Sequence, residues 1–347
     1  MLRVGIAGIG FMGMIHYLAY GRVRGVKVGA VCSRDAKKLA GDWRGIQGNF
    51  GPPGEQMDLS GVAAYAELNE LLADPKVDVV DICLPPHLHA PAAAAAFKAG
   101  KHVFCEKPIA LSAGEARRML SASRAAGKML WIGHVLPLIP EFAFAYQAAA
   151  GGKYGRLLGG HFKRVIADPL WLPDFYDPRR AGGPMIDLHI HDAHFIRLLC
   201  GMPEAVFTSG RMRGEVAEFF TSIFRYADPA LAVTATSGVV RQQGRAFTHA
   251  FEIHFERATL VYDFSVIDGK PETTQPLVVL HENGRVQRPE LPQFDAIDPF
   301  VREIGDVVKS LRSGKPSLLL DGQLALDALV LCEKQTASLK RGKLVKV

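Results

Sequence analysis

The sequence predicts an α/β chain: a doubly wound parallel sheet at the N-terminus, then an α+β domain with an open, mostly antiparallel or mixed sheet. Two observations carry the first half. Strand-like and helix-like segments alternate over the first 130 residues, as the layers of a parallel sheet require. Gly8, Gly10 and Gly13 then fall between the first strand and the first helix. One observation carries the second half. Beyond residue 134 most strand-like runs alternate apolar with polar residues, the pattern of a sheet with one covered face.

Taken in order, Val4–Ala7 reads as the first strand, and a helix follows through Tyr20. Val26–Cys32 is the second strand. Residues 41–61, rich in Gly and Pro, break regular structure and read as an inserted loop, either plain surface or a lid over a ligand. Val77–Leu84 is a strand, with a helix over Ala90–Ala99. Lys101–Cys105 is a short strand, Ala113–Ala126 a helix ended by Gly127, and Met129–Gly133 a last short strand. Further strands are expected over Leu157–Ile166, Val206–Arg213, Glu218–Tyr226, Val233–Val240, Thr248–Phe255 and Thr259–Phe264. A helix is expected from Pro184 to Cys200, with proline at its first position and Gly201 past its end. Phe300–Ser310 and Gln323–Ser338 read as closing helices. No internal repeat is seen, and the domain boundary is set at 130.

Bulk properties exclude several classes. The net charge of +6, from 41 basic and 35 acidic residues, is spread without a basic run and gives no support for nucleic-acid binding. Five scattered cysteines without CxxC spacing argue against a disulfide framework or structural zinc and for a reducing cytoplasm. The N-terminus lacks the features of a signal peptide, and no apolar run is long enough to span a membrane.

The glycines carry the first functional reading. In G-x-G-x-x-G spacing between a strand and a helix they suit a Rossmann NAD(P)-binding domain over 1–130. Gly8 permits the tight turn, Gly10 admits a pyrophosphate, and Gly13 lets helix and strand pack closely. Ile9, Phe11 and Met12 complete the turn, at a helix N-terminus that favours phosphate. An acid is expected at the end of the second strand for NAD. Ser33 and Arg34 stand there instead, with Asp35 just behind, which leans toward the 2′-phosphate of NADP.

Lys107 follows a short apolar strand, so it falls at the carboxyl edge of a parallel sheet, where ligands bind. An ammonium there can donate to a reacting oxygen. On the helix from Pro184, Asp187, His191 and His194 share one stripe, and Asp187 one turn back would orient His191 as a general acid or base. His189 is expected to contact the substrate or the nicotinamide end. A divalent metal on the Asp and His side chains is the weaker alternative, because helical spacing separates His189 from the rest. No metal is assigned.

Four motifs in order make the chain resemble the Gfo/Idh/MocA family of oxidoreductases: GIGFMG at 8–13, CLPPHLH at 83–89, Glu106-Lys107-Pro108, and GGPMIDLHIH at 182–191. The resemblance spans nearly the whole chain. It implies hydride transfer to or from a hydroxyl-bearing carbon of a sugar, inositol or related polyol. It implies that Lys107 matches the family lysine and His191 the family histidine, and that Leu84, Pro85, His89 and Glu106 lie beside the cofactor. It also implies that 131–347 binds substrate and forms the oligomer, a homodimer or homotetramer, through its sheet. His189 stands where the family commonly has glycine, His194 where it has aspartate, and Pro137 where it often has arginine. Substrate contacts are expected from His189 and His194 and from Trp171, Tyr176 and Arg179 in the loop ahead of the histidine helix. Aromatic rings there can stack on a sugar, although packing explains them as well. The competing function classes are a glycoside-processing enzyme with a tightly bound, recycled NAD, a metal-dependent lyase, and a non-catalytic cofactor sensor.

Overall fold

In the computed structural model, which describes Met1–Val347, the apolar runs of the N-terminal third line up as six parallel strands. The order along the chain is β1 (Leu2–Ala7), α1 (Phe11–Tyr20), β2 (Val26–Cys32), α2 (Ala36–Leu39), β3 (Ala63–Tyr65), α3 (Leu68–Ala73), β4 (Val79–Ile82), α4 (His89–Lys98), β5 (His102–Glu106), α5 (Ala113–Ala126) and β6 (Leu130–Gly133). The sheet order is β3-β2-β1-β4-β5-β6, the doubly wound arrangement whose strand order reverses at β1. β1 and β4 are almost wholly buried because helices cover both faces of a parallel sheet.

The rest of the chain comprises α6 (Pro140–Ala150), β7 (Leu157–Ala167), α7 (Ile190–Cys200), β8 (Ala205–Arg213), β9 (Val216–Arg225), β10 (Ala232–Val240), β11 (Arg245–Phe255), β12 (Ala258–Ile267), β13 (Lys270–His281), β14 (Val286–Gln287), α8 (Asp298–Ser313), α9 (Gly322–Arg341) and β15 (Val345–Lys346). Nine strands form one sheet in the order β14-β13-β12-β11-β7-β10-β9-β8-β15. Every pairing is antiparallel except β7 with β10, so the sheet is mixed. The six strands expected from alternation are β7 to β12, with ends shifted by a few residues. β13 was not expected: Pro271, Pro276 and the polar run between them give it no alternating apolar pattern.

The chain forms two units. One is Met1–Leu138 with Gln293–Leu326, and the other is Ile139–Pro292 with Asp327–Val347. In the first, α8 packs on α1. Its Phe300, Ile304, Val307 and Val308 make one apolar stripe and join Ile6, Met14, Ile15 and Phe104 in the core. Each such side chain, fully buried, stabilises by roughly 1.5–3 kcal/mol. Trp131 of β6, itself buried, donates to Ser310 Oγ of α8 at 2.9 Å. The inserted loop is anchored as well: Trp43 is fully buried, and Phe50 stacks on Phe300 with centroids 5.6 Å apart.

The helix expected from Pro184 to Cys200 is not one regular helix. Pro184–Leu188 form a π-helical turn closed by His189 N donating to Pro184 O at 2.8 Å, and only then does α7 begin. Of the expected stripe Asp187–His191–His194, Asp187 thus falls in the wide turn and only the two histidines lie in the regular helix. Gly183 enters this turn at φ +70°, and a Cβ there would meet Val216 at 2.9 Å. No helix of the chain is long and apolar enough to cross a membrane.

Candidate functional site

The glycine turn has the shape a dinucleotide needs. Gly8 adopts φ +103°, and its amide donates to Cys32 O at 2.9 Å, tying β1 to β2. A Cβ on Gly13 would lie 2.1 Å from Gly8 O, so the helix could not pack this closely with any side chain there. A Cβ on Gly10 would meet nothing within 4 Å. Packing therefore does not demand a glycine at position 10, whereas close approach of a pyrophosphate would. Gly10 caps α1 without a side-chain hydrogen bond, and the first helical bond is Met14 N to Gly10 O. The amides of Phe11, Met12 and Gly13 thus stand outside the helical ladder, at the positive end of the helix. These residues fit a dinucleotide.

At the end of β2, Asp35 is spent on α2: its carboxylate accepts from Lys37 N at 2.9 Å, and its own amide donates to Ser33 Oγ at 3.2 Å. Arg34 is exposed beside this cap.

Leu84 and Pro85 follow β4, and Glu106 and Lys107 close β5, all at the carboxyl edge that also carries the glycine turn. His89 links the two turns. Its Nε2 lies 2.8 Å from Leu84 O and its Nδ1 2.7 Å from Pro108 O. Burial lowers its pKa, and the two carbonyls oppose that shift. His89 is only 1% exposed and staples the two loops together. Glu106 is also buried. One oxygen, Oε2, accepts the Lys107 backbone N–H at 3.1 Å, and the other, Oε1, lies 3.0 Å from His16 Nε2. Lys107 itself is half-buried.

In the second unit His191 and Asp187 are half-buried, whereas His189 and His194 have no exposed surface. The substrate contacts expected of His189 and His194 are therefore replaced by enclosure in the protein interior. His189 Nε2 is 2.9 Å from Gln335 Nε2 of α9, and its ring meets Phe220 edge-on at 5.2 Å. Burial depresses its pKa to about 4, so the ring is neutral. Beside His191, Asp192 is clamped by Arg164 of β7. In the preceding loop, Tyr176 donates to Asp168 at 2.8 Å and carries the Arg213 guanidinium 3.8 Å above its ring. Trp171 and Arg179 project into solvent.

Sequence reasoning missed His16, Arg164 and Gln335. None belongs to a local motif, because their partners come from distant strands and helices.

Residues 2–134 match the family described as "Oxidoreductase family, NAD-binding Rossmann fold", and residues 142–261 match the "GFO/IDH/MocA C-terminal domain". The chain is 27% identical to myo-inositol 2-dehydrogenase of Thermotoga maritima, over 94% of this chain and 93% of that one. It is 31% identical to 1,5-anhydro-D-fructose reductase of Ensifer adhaerens, over 62% of this chain and 65% of that one. A solved levoglucosan dehydrogenase in complex with NADH and L-sorbose superposes with a TM-score of 0.78 at 22% identity, covering 100% of this chain and 98% of that one, a likeness of fold. The chain belongs to the Gfo/Idh/MocA family of oxidoreductases, and its glycine turn lies within the matched NAD-binding Rossmann fold.

Proposed function

We propose that the chain is an NADP-preferring dehydrogenase or reductase acting on the hydroxyl or keto carbon of a sugar, inositol or related polyol. The observation that carries this reading is Lys107 at the carboxyl end of β5, on the same sheet edge as the open glycine turn. The names of the inositol and anhydrofructose enzymes support the substrate class. When bound, the nicotinamide supplies or takes up the hydride. Gly8 to Gly13 hold the pyrophosphate, and Ser33 and Arg34 meet the 2′-phosphate, since Asp35 is engaged elsewhere. Lys107 donates a proton to the reacting oxygen or removes one, and His191 is the second proton-transfer group, with Asp187 as its orienting partner. Trp171, Tyr176 and Arg179 belong to the substrate loop.

Five free cysteines suit the cytoplasm as the place of action. Phe207 and Ile223, directly paired between β8 and β9 and both exposed, support a homodimer or homotetramer built on the second sheet.

The test is a fluorescence titration with NADPH and with NADH, on wild type and Arg34→Ala, after denaturing a sample to look for retained nucleotide. The expected result is tighter NADPH binding that Arg34→Ala weakens about tenfold, with NADH changed far less. Equal losses for both nucleotides would remove the phosphate role of Arg34. Binding of neither, with none retained, would remove the reading as a whole. A polyol panel with the favoured nucleotide then identifies the substrate.

A further inference from the structure

The first unit buries a group of charges that the glycine turn does not account for. His16, on α1 just past Gly13, has no exposed surface. Its Nδ1 donates to Asp81 Oδ2 of β4 at 2.9 Å, and its Nε2 lies 3.0 Å from Glu106 Oε1, an ion-pair contact without the alignment of a hydrogen bond. The ring stacks on Phe104 with centroids 5.2 Å apart. A carboxylate oxygen within 3.0 Å of each ring nitrogen favours the charged imidazolium, which carries an N–H on both. Burial is the largest single influence and opposes that proton, but Asp81 and Cys83 together outweigh it and raise the ring well above its ordinary value. Glu303 of α8, Tyr20 and Cys83 face the same cluster. Burial, reinforced by neighbouring carboxylates, pushes all three up, which keeps them neutral. What remains is one cation held between two carboxylates.

Glu106 is where this interior meets the surface, because its second oxygen holds the Lys107 backbone. Without a cation beside it, a buried carboxylate near Asp81 and Glu303 would take up a proton or turn away. We propose that His16 is a positioning residue for Lys107: by bridging Asp81 and Glu106 it fixes the carboxylate that anchors the Lys107 turn. This rests on the reading of Lys107 as the proton-transfer group.

The test uses the intact chain, with NADH as the binding probe and the oxidised nucleotide as hydride acceptor for turnover. His16→Phe keeps the stacked ring and removes both nitrogens. The expected variant binds NADH within about threefold of wild type. Amide hydrogen exchange at Lys107 rises at least tenfold, and kcat on the polyol accepted by wild type falls at least tenfold with KM little changed. Glu106→Gln combined with His16→Phe is expected to be no slower than the slower single variant, since both break one chain of contacts. A folded His16→Phe protein with wild-type exchange at Lys107 overturns the proposal. So does a loss of NADH affinity as large as the loss of turnover, which would mark His16 as merely structural. Should His16→Phe not fold, ¹⁵N-histidine NMR of the wild type decides. Both His16 nitrogens are expected to carry protons at pH 8, and a single neutral tautomer overturns the proposal. Lys107→Ala separates the two readings. Unchanged turnover there removes the role of Lys107 while leaving the exchange and NMR results to judge His16.

Discussion

Arg164 and Asp192 form a two-pronged ion pair shut away from water: Nε donates to Oδ2 at 2.7 Å and Nη2 to Oδ1 at 3.2 Å. The pair ties β7 to the first turn of α7, next to His191. Breaking it from one side strands a buried charge. Arg164→Met is therefore expected to destabilise the protein by about 3–5 kcal/mol. Pairing it with Asp192→Leu removes both charges and is expected to recover much of that loss. Urea denaturation of the two variants measures this. A double variant as unstable as the single one would show that packing around Arg164, not charge, is at stake.

The glycine turn predicts two different failures. Gly13→Ala places a Cβ 2.1 Å from Gly8 O, so the turn itself must move. That variant is expected to lose both thermal stability and NADH binding. Gly10→Ala meets no protein atom and costs at most about 1 kcal/mol at the helix cap. It is expected to melt near wild type and yet bind NADH at least tenfold more weakly. Normal binding by Gly10→Ala would place the pyrophosphate elsewhere.

Lys107→Ala and His191→Ala are each expected to lower turnover about a hundredfold or more, the usual worth of a positioned acid or base. NADH affinity is expected to change little in either. Steady-state kinetics beside a nucleotide titration checks both, and a variant with wild-type kcat loses its place in the reaction.

His189 sets a pH dependence of defined sign. Its folded-state pKa of about 4 lies below the ordinary 6.5 because burial disfavours the charged ring. Its contribution is thus fully present above pH 6.5 and is lost as pH falls toward 4, by roughly 3 kcal/mol in total. His89 and His249 shift in the same direction but are common to both proteins in a comparison with His189→Gln. Urea midpoints measured across this window are expected to fall less steeply in the variant. Parallel slopes would show that His189 does not titrate there.

The elements that could be read directly were those with a local signature. Buried parallel strands and glycines flanking a helix announce themselves over ten residues, and so do the alternating strands β7 to β12. The interior charges had no such signature. His16 looks like any helix histidine until β4 and β5 bring Asp81 and Glu106 to its two nitrogens. Arg164 and Asp192 are likewise ordinary until a strand and a helix meet. The histidine helix misled for a different reason. Its residues carry helical spacing, but the π-helical turn entered through Gly183 adds a residue to the first turn, and spacing cannot show that. Phe300–Ser310 could be read as a closing helix, but its packing on α1 could not.

Ile297, Phe300, Ile304, Val307, Val308 and Leu320 complete the core around β1 and α1 from the far end of the chain. A ribosome that has made the first 138 residues has therefore made all six strands of the nucleotide-binding sheet and only part of what covers them. The missing piece emerges some 160 residues later, after the whole second sheet has been synthesised. Until then the nascent sheet carries on α1 an apolar face whose cover, α8, has yet to be made.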